Sequence, residues 1–187
     1  AVFLVAVMFG LADMYLQGIT QKVMQENGDW HYQITSIDTK TSDLIAARPE
    51  VEVSGWHSTI SADAGYSING QPIAISGLDE DVFGEIYLAS LAEGKYPNAA
   101  NEIAVSSVLK ESNDLDLGSV IDLTCPDGST VSFSIVGFFD NPEKARLIAG
   151  SEQSVILAQD GFTTFISASN SPASEKYIIQ LSQHCDM

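Results

Sequence analysis

Basic residues are scarce. The chain of 187 residues carries 8 lysines and arginines against 25 aspartates and glutamates, a formal net charge of −17. Such a surface repels phosphate backbones, and no local basic cluster offsets it, so nucleic-acid binding is excluded first. Cationic partners such as basic peptides or divalent ions remain compatible with the acidity, which otherwise serves solubility. Cysteine is nearly absent. Cys125 and Cys185 form no Cys-x-x-Cys pair and have no metal-ligand spacing to a histidine. The expectation is two free thiols, since a disulfide requires Cα atoms within about 7 Å. Long apolar runs are missing too. The greasiest stretch, AVFLVAVMFG at residues 1–10, is about half of the roughly 20 residues that cross a bilayer. It has no basic segment before it and no small-x-small site after it, which argues against a signal peptide. There is no fixed-period repeat, no low-complexity tract and no Gly-x-x-x-x-Gly-Lys-Ser/Thr, so the chain by itself is not a P-loop ATPase.

What is present suffices for one substantial domain or two small lobes. Leu11, Met14, Tyr15, Gly18, Ile19 and Val23 recur at three- and four-residue steps, and Asn27-Gly28 follows as a left-handed stop. This pattern predicts one continuous helix from about Val2 to Gln25. Its apolar start and amphipathic continuation suit a helix that leaves a membrane and enters water, its first turns poorly covered by the rest of the domain. DWHYQITSI then reads as a strand, DTKTSDLIAARP as a short helix with Thr39 or Thr41 as N-cap and Pro49 as terminator, and VEVSGWHSTI as a strand. These three make a βαβ unit if the strands are parallel neighbours.

The middle is β-rich. Asn69-Gly70 between two apolar runs signals a hairpin. EIAVSSVLKESNDLDLGSVIDL predicts a strand, a short helix closed near Gly118 and another strand, and Pro126 to Gly128 joins VIDLTC to TVSFSIVGFF in a second hairpin. Residues 140–153 are polar and read as a loop. SVILA follows as a strand, DGFTTFI as a short helix and EKYIIQL as a last strand. The expected architecture is therefore α+β, with a β-rich insert at 61–149 between two α/β pieces at 28–60 and 150–187 that pair in space. The second of these pieces reads as truncated, because the chain ends at SQHCDM before a further helix and return strand.

Chemistry-bearing constellations are few. Ser107-Val108-Leu109-Lys110 matches the Ser-x-x-Lys nucleophile motif, but without its Lys-Thr-Gly and Ser-Asp-Asn companions. The plain reading is a helix whose Ser107 and Lys110 face water; the rival is a secreted serine acyl-transfer enzyme. A free-standing extracellular ligand-binding domain is a third reading. His31, His57 and His184 are scattered, and the first two read as ordinary strand residues on half-exposed strands. Asp114-Leu115-Asp116-Leu117-Gly118 lacks the oxygen ligands of a calcium loop. The cluster Asp79-Glu80-Asp81 with Glu85 reads as a solvated turn. No catalytic, cofactor-binding or metal residue is therefore assigned, and the substrate-binding residues are not specified.

One ordered series of short motifs does carry information: Gly94, Tyr96 and Pro97; Glu102, Ile103, Val105 and Ser106; Leu115, Leu117, Gly118, Ile121 and Leu123; and Val136-Gly137. Together with GDWHYQI…ARPEVEVSGW it resembles the extracytoplasmic (MacB-like periplasmic) core domain of ABC-transporter permeases of the MacB/FtsX-like family. Ser119 stands where the family often has aspartate. The resemblance implies a first transmembrane helix ending in a stalk at 1–26, a porter-like α/β lobe built from both chain ends, and an inserted β-rich lobe. It further implies a non-catalytic domain on the extracytoplasmic side of the cell membrane, with ATP bound by a separate ATPase subunit or domain. A peptide, lipoprotein or cell-wall partner is implied outside, and no nucleic acid.

Overall fold

The computed structural model describes residues 2–182, and within the leading helix the side chains from residue 13 onward. The elements in chain order are α1 (Val2–Asn27), β1 (Tyr32–Ile34), α2 (Thr39–Ala46), β2 (Val51–Ile60), β3 (Ser67–Ile68), β4 (Gln71–Pro72), β5 (Ala74–Leu78), β6 (Leu91–Gly94), β7 (Glu102–Ser106), α3 (Ser107–Asn113), β8 (Val120–Thr124), β9 (Thr130–Phe139), α4 (Pro142–Ala149), β10 (Ser154–Ala158), α5 (Gln159–Ser169) and β11 (Ser174–Leu181). All eleven strands join one mixed sheet in the order β1-β11-β2-β5-β10-β7-β9-β8-β3-β4, with β6 paired to β9. Strands from 28–60, 61–149 and 150–187 thus share this sheet, β10 lying between β5 and β7.

The sheet has two covered faces, and alternation decides which side chain enters which core. On one face, α5 and Leu109 of α3 cover the larger core, built from Ile60, Ile75, Ile103, Val105, Phe133, Val155 and Phe162 among others, while α2 lies against β2. A Cβ on Gly77 would stand 2.2 Å from Cβ of Phe162, so the glycine lets α5 settle directly onto β5. On the other face α4 and a single π-turn, Val82–Ile86, cover Leu78, Tyr96, Ala104, Phe139, Ile156 and Ile178. Every residue of β5 is buried, as expected of a strand packed on both sides.

Several expectations are met residue by residue. Asn69 (φ 50°) and Gly70 (φ 80°) make the two-residue hairpin turn, with Ile68 opposite Gln71. The β8–β9 hairpin pairs Thr124 with Thr130 across the Pro126–Gly128 turn. Gly28, at φ 84°, ends α1 as a left-handed stop.

Others are corrected. β1 and β2 run parallel but are not neighbours: β11 enters between them, antiparallel to both. The unit is therefore a split βαβ, whose middle strand comes from the far end of the chain. The N-cap of α2 is Asp38, whose carboxylate accepts from Thr41 N (2.9 Å) and Thr41 Oγ1 (2.8 Å), so Thr41 is a donor to the cap. α3 ends at Asn113, with Asp114 left-handed at φ 51°, and not at Gly118. The polar segment 140–153 contains α4. Asn141 caps it through Glu143 N and Lys144 N, Pro142 occupies its first turn, and Gly150 closes it at φ 78°.

Candidate functional site, the joint beneath the leading helix

From Asp13 to Val23 α1 is exposed on every side, with Met14 70 % and Tyr15 71 % accessible. The coverage of its first turns lies outside the described side chains. Among the described residues no helix is long and apolar enough to cross a membrane. At its C-terminal end the helix is gripped. Gly28 N donates to Met24 O (2.8 Å) and Asp29 N to Ile86 O (2.6 Å). A Cβ on Gly28 would stand 2.7 Å from Ile86 O, so only glycine combines the positive φ with this approach. Trp30 Nε1 donates to Asn27 O at 2.7 Å, and Gln180 Nε2 of β11 donates to Asp29 Oδ2 at 2.8 Å.

The remaining clamp comes from α4: Lys144 Nζ donates to Gln25 O. Lys144 is 7 % exposed, and burial lowers its pKa, partly opposed by Glu143. A cation on the carbonyl end of a helix also meets the negative end of its dipole. The π-turn, β11 and α4, together with the adjacent Trp30, thus hold Gln25 to Asp29 at the end of α1, while Asp13 to Val23 stay exposed. That arrangement suits a lever on a fixed bearing.

The bearing rests on a buried polar network. The π-turn gives Ile86 O to the joint and is followed by Tyr87, whose hydroxyl lies 2.5 Å from His57 Nδ1. His57 Nε2 lies 2.6 Å from Ser76 Oγ, which in turn donates to Ile148 O of α4 at 3.4 Å. The assignment that satisfies all of these has Nε2–H donating to Ser76 and Nδ1 accepting from Tyr87. Burial, and next the nearby Lys176 charge, push the His57 pKa down to about 3, so the ring is neutral. Burial raises the Tyr87 hydroxyl. This corrects the expectation for His57, which is fully buried because β2 is covered on both faces. His31 instead accepts from Leu181 N at 3.1 Å, beside the joint, and His184 lies outside the described residues.

The motif series is structural in its geometry. Gly94 pairs with Gly137, and a Cβ on Gly94 would fall 2.1 Å from Val136 O. Tyr96 is buried, and its hydroxyl donates to Leu78 O at 2.6 Å. Glu102 accepts from Lys95 Nζ (2.7 Å), Asn98 N (2.8 Å) and Ala99 N (3.2 Å), closing the loop that follows β6. These bonds, led by that from Lys95, hold its carboxyl below the usual range. Gly118 N donates to Ile135 O, Ser106 Oγ accepts from Ser154 N, and Ile103, Val105 and Leu123 are in the core.

Ser107 and Lys110 line one cleft but do not bond each other. Ser107 Oγ donates to Asp140 O at 3.4 Å, whereas Lys110 pairs with Glu93 and lies 4.4 Å from the centre of the Phe138 ring. The Lys110 Nζ is directed to the Glu93 carboxylate and not to the serine hydroxyl. Asp79 is held above its usual pKa by burial, then by Asp81 and Asp160. Among the described residues no group of three or more His, Cys, Asp or Glu side chains converges on a metal position. Cys125 is buried in the larger core, and Cys185 lies outside the described residues.

A cleft of about 950 Å³ opens on the face that carries α4. Thr59 and Ser61 to Ala64 form one wall, Arg146 to Ser151 another, and Pro172, Ala173, Ser174 and Lys176 a third. α4 thus reaches both places: Lys144 holds the end of α1, and the last turn of the helix lines the cleft. Lys144, Lys176 and the π-turn escape a reading of the sequence. The one available signal is the Asn141-Pro142…Gly150 pair of helix boundaries.

No family model and no curated protein matches the chain. Solved structures do. The periplasmic region of MacB from Actinobacillus actinomycetemcomitans superposes with a TM-score of 0.57 at 10 % identity, over 82 % of this chain and 68 % of that one. A domain of a protein described as a permease from Porphyromonas gingivalis gives 0.57 at 13 % identity, over 83 % and 66 %. The extracellular domain of the ABC-type transporter YknZ from Gram-positive bacteria gives 0.52 at 10 % identity, over 81 % and 75 %. The chain has the mixed α/β fold of extracytoplasmic domains of ABC-transporter permeases.

Proposed function

We propose that this chain is the extracytoplasmic domain of an ABC-transporter permease subunit, binding a substrate or partner outside the membrane and transmitting ATP-driven motion across it. The observation that carries the reading is the shared fold with the periplasmic region of MacB. α1 serves as the stalk, its apolar start being the outer end of a first transmembrane helix, and the joint at Gly28, Asp29 and Lys144 passes its movement into the sheet. The domain works at the cell membrane, on the extracytoplasmic side. Its ATPase partner is a separate subunit or domain, and its own part in the cycle is mechanical, without catalysis. Within the continuous sheet, residues 28–60 and 150–187 act as the porter-like part and 61–149 as the insert.

Extending the reading frame tests this. An apolar stretch before Ala1, three further spans after Met187 and an adjacent ATPase gene are expected. A gene that starts and stops near these residues, with no ATPase beside it, overturns the proposal.

A further inference from the structure

The cleft beside α4 has a charge pattern unlike the rest of the molecule. The chain has 8 basic residues against 25 acidic ones, yet two of its cations, Arg146 and Lys176, line this cleft with Asp63 as the carboxylate. Elsewhere the partly shielded cations are satisfied. Lys110 pairs with Glu93, and Lys144 bonds Gln25 O. Lys176 differs: among the described residues it has no carboxylate or carbonyl within bonding distance. Its ammonium lies 5.8 Å from the centre of the Tyr87 ring, and the cross-strand neighbour of Lys176 is His57, which is neutral. Burial lowers the lysine's pKa, a cost that a bound anion would relieve. Arg146 is paired with Glu152 at the rim. Its planar guanidinium has five N–H donors, more than one carboxylate can use.

We infer that this cleft binds a ligand through a single carboxylate, held by Lys176 and supported by Arg146. The small apolar side chains of Ala62, Ala64, Ala149 and Ala173 flank the remainder of the ligand. Asp63 and the acidic exterior oppose polyanions, so phosphates and acidic polymers do not fit. A peptide's C-terminal carboxylate with a small last side chain does, and a neutral or basic body upstream would suit the acidic surface. Because α4 also holds Gln25 through Lys144, such a ligand would contact the element that grips the stalk. The site concerns the cleft alone and stands or falls separately from the permease reading.

The test titrates the chain with N-acetyl-Ala-Ala as the free acid and as the C-terminal amide, following backbone amide NMR shifts to tens of millimolar. Saturable shifts clustered at Gly150, Ala173 and Lys176 with the acid, and roughly tenfold weaker or absent with the amide, are expected. Lys176→Gln should weaken the acid about tenfold, and Arg146→Gln should weaken it less. Lys40→Gln, on the exposed part of α2, should leave it unchanged. The thermal midpoint of each variant reports its folding. Equal shifts with acid and amide, none with either, or a folded Lys176→Gln that binds like the parent overturns the site.

Discussion

Gly94 and Gly137 face each other across the β6–β9 pair, and the Cβ position of each is taken up by backbone beside the other. A Cβ on Gly94 would stand 2.1 Å from Val136 O, and one on Gly137 would stand 2.5 Å from Lys95 O. Both are backbone atoms, so relief requires separating the strands. Gly94 also has φ 82°, where alanine is strained regardless of space. Gly94→Ala and Gly137→Ala are each expected to cost more than about 2 kcal/mol in denaturant unfolding. Gly84, which has nothing within 4 Å of its Cβ position, is the control and should change little on substitution by alanine. An unchanged denaturation midpoint for Gly137→Ala would show that β6 yields easily.

His57 sets an acid limit on stability. Its folded pKa is depressed to about 3, whereas the unfolded chain titrates near the ordinary value of 6.5. Between those values the unfolded state binds the extra proton. Stability is therefore full above about pH 6.5 and falls as the pH drops toward 3, by about 1.4 kcal/mol per pH unit at most. Glu102, Asp38 and Asp127, held low chiefly by bonds from Lys95, Thr41 and Ser129, lose their contributions as the pH falls from the ordinary carboxylate values toward their lower folded ones. Asp79, held high by burial, contributes a slope of opposite sign as the pH falls, so the histidine's share of the urea midpoints between pH 6.5 and pH 5 is read as the difference between parent and variant. His57→Gln is expected to flatten that slope, even where it lowers stability overall; an unaltered slope would assign the acid sensitivity to another group.

Ser107 is expected to be dispensable for stability and unreactive. Its hydroxyl makes one long bond to Asp140 O, and the Lys110 amine is committed to Glu93. Ser107→Ala should shift unfolding by less than about 0.5 kcal/mol. A fluorophosphonate probe should label parent and variant equally, at background. Labelling of the parent that disappears in Ser107→Ala would restore the acyl-transfer reading.

Local signals in the chain proved legible where the physics is local. Asn69-Gly70 requires two positive φ values, which few other dipeptides supply, and Gly28 stops α1 for the same reason. α4 was hidden although its signals are present, because the polar residues of NPEKAR mask the apolar Ala145, Ile148 and Ala149 that face the sheet. Strand order was not legible. The insertion of β11 between β1 and β2 joins residues more than 100 positions apart, as in Tyr32 opposite Ile179, and no short-range pattern records it. The burial of His57 follows from that order. A strand with a helix over one face and a π-turn over the other covers both faces, so alternation no longer marks an exposed side. Lys176 carries no signal in the sequence for the same reason, since its register partner is His57.

The bond from Lys144 to Gln25 O links residues 119 positions apart and is the tie from α4 to α1. Lys144→Met keeps most of the side chain's volume while removing the donor, so the core contacts of α4 should survive. The global loss should then be modest, about 1 kcal/mol. The local effect should be larger in kind. Amides at the end of α1, notably Gly28 and Asp29, should exchange roughly fivefold faster or more, while those of β5 and β10 hold. If the proposed permease role holds and the joint carries force, the same substitution in the full-length protein should leave nucleotide binding by its ATPase partner unchanged and lower the transport yield per ATP hydrolysed. Exchange at Gly28 and Asp29 that matches the parent would mean that the π-turn and Gln180 suffice to hold the helix, and that α4 is no part of the bearing.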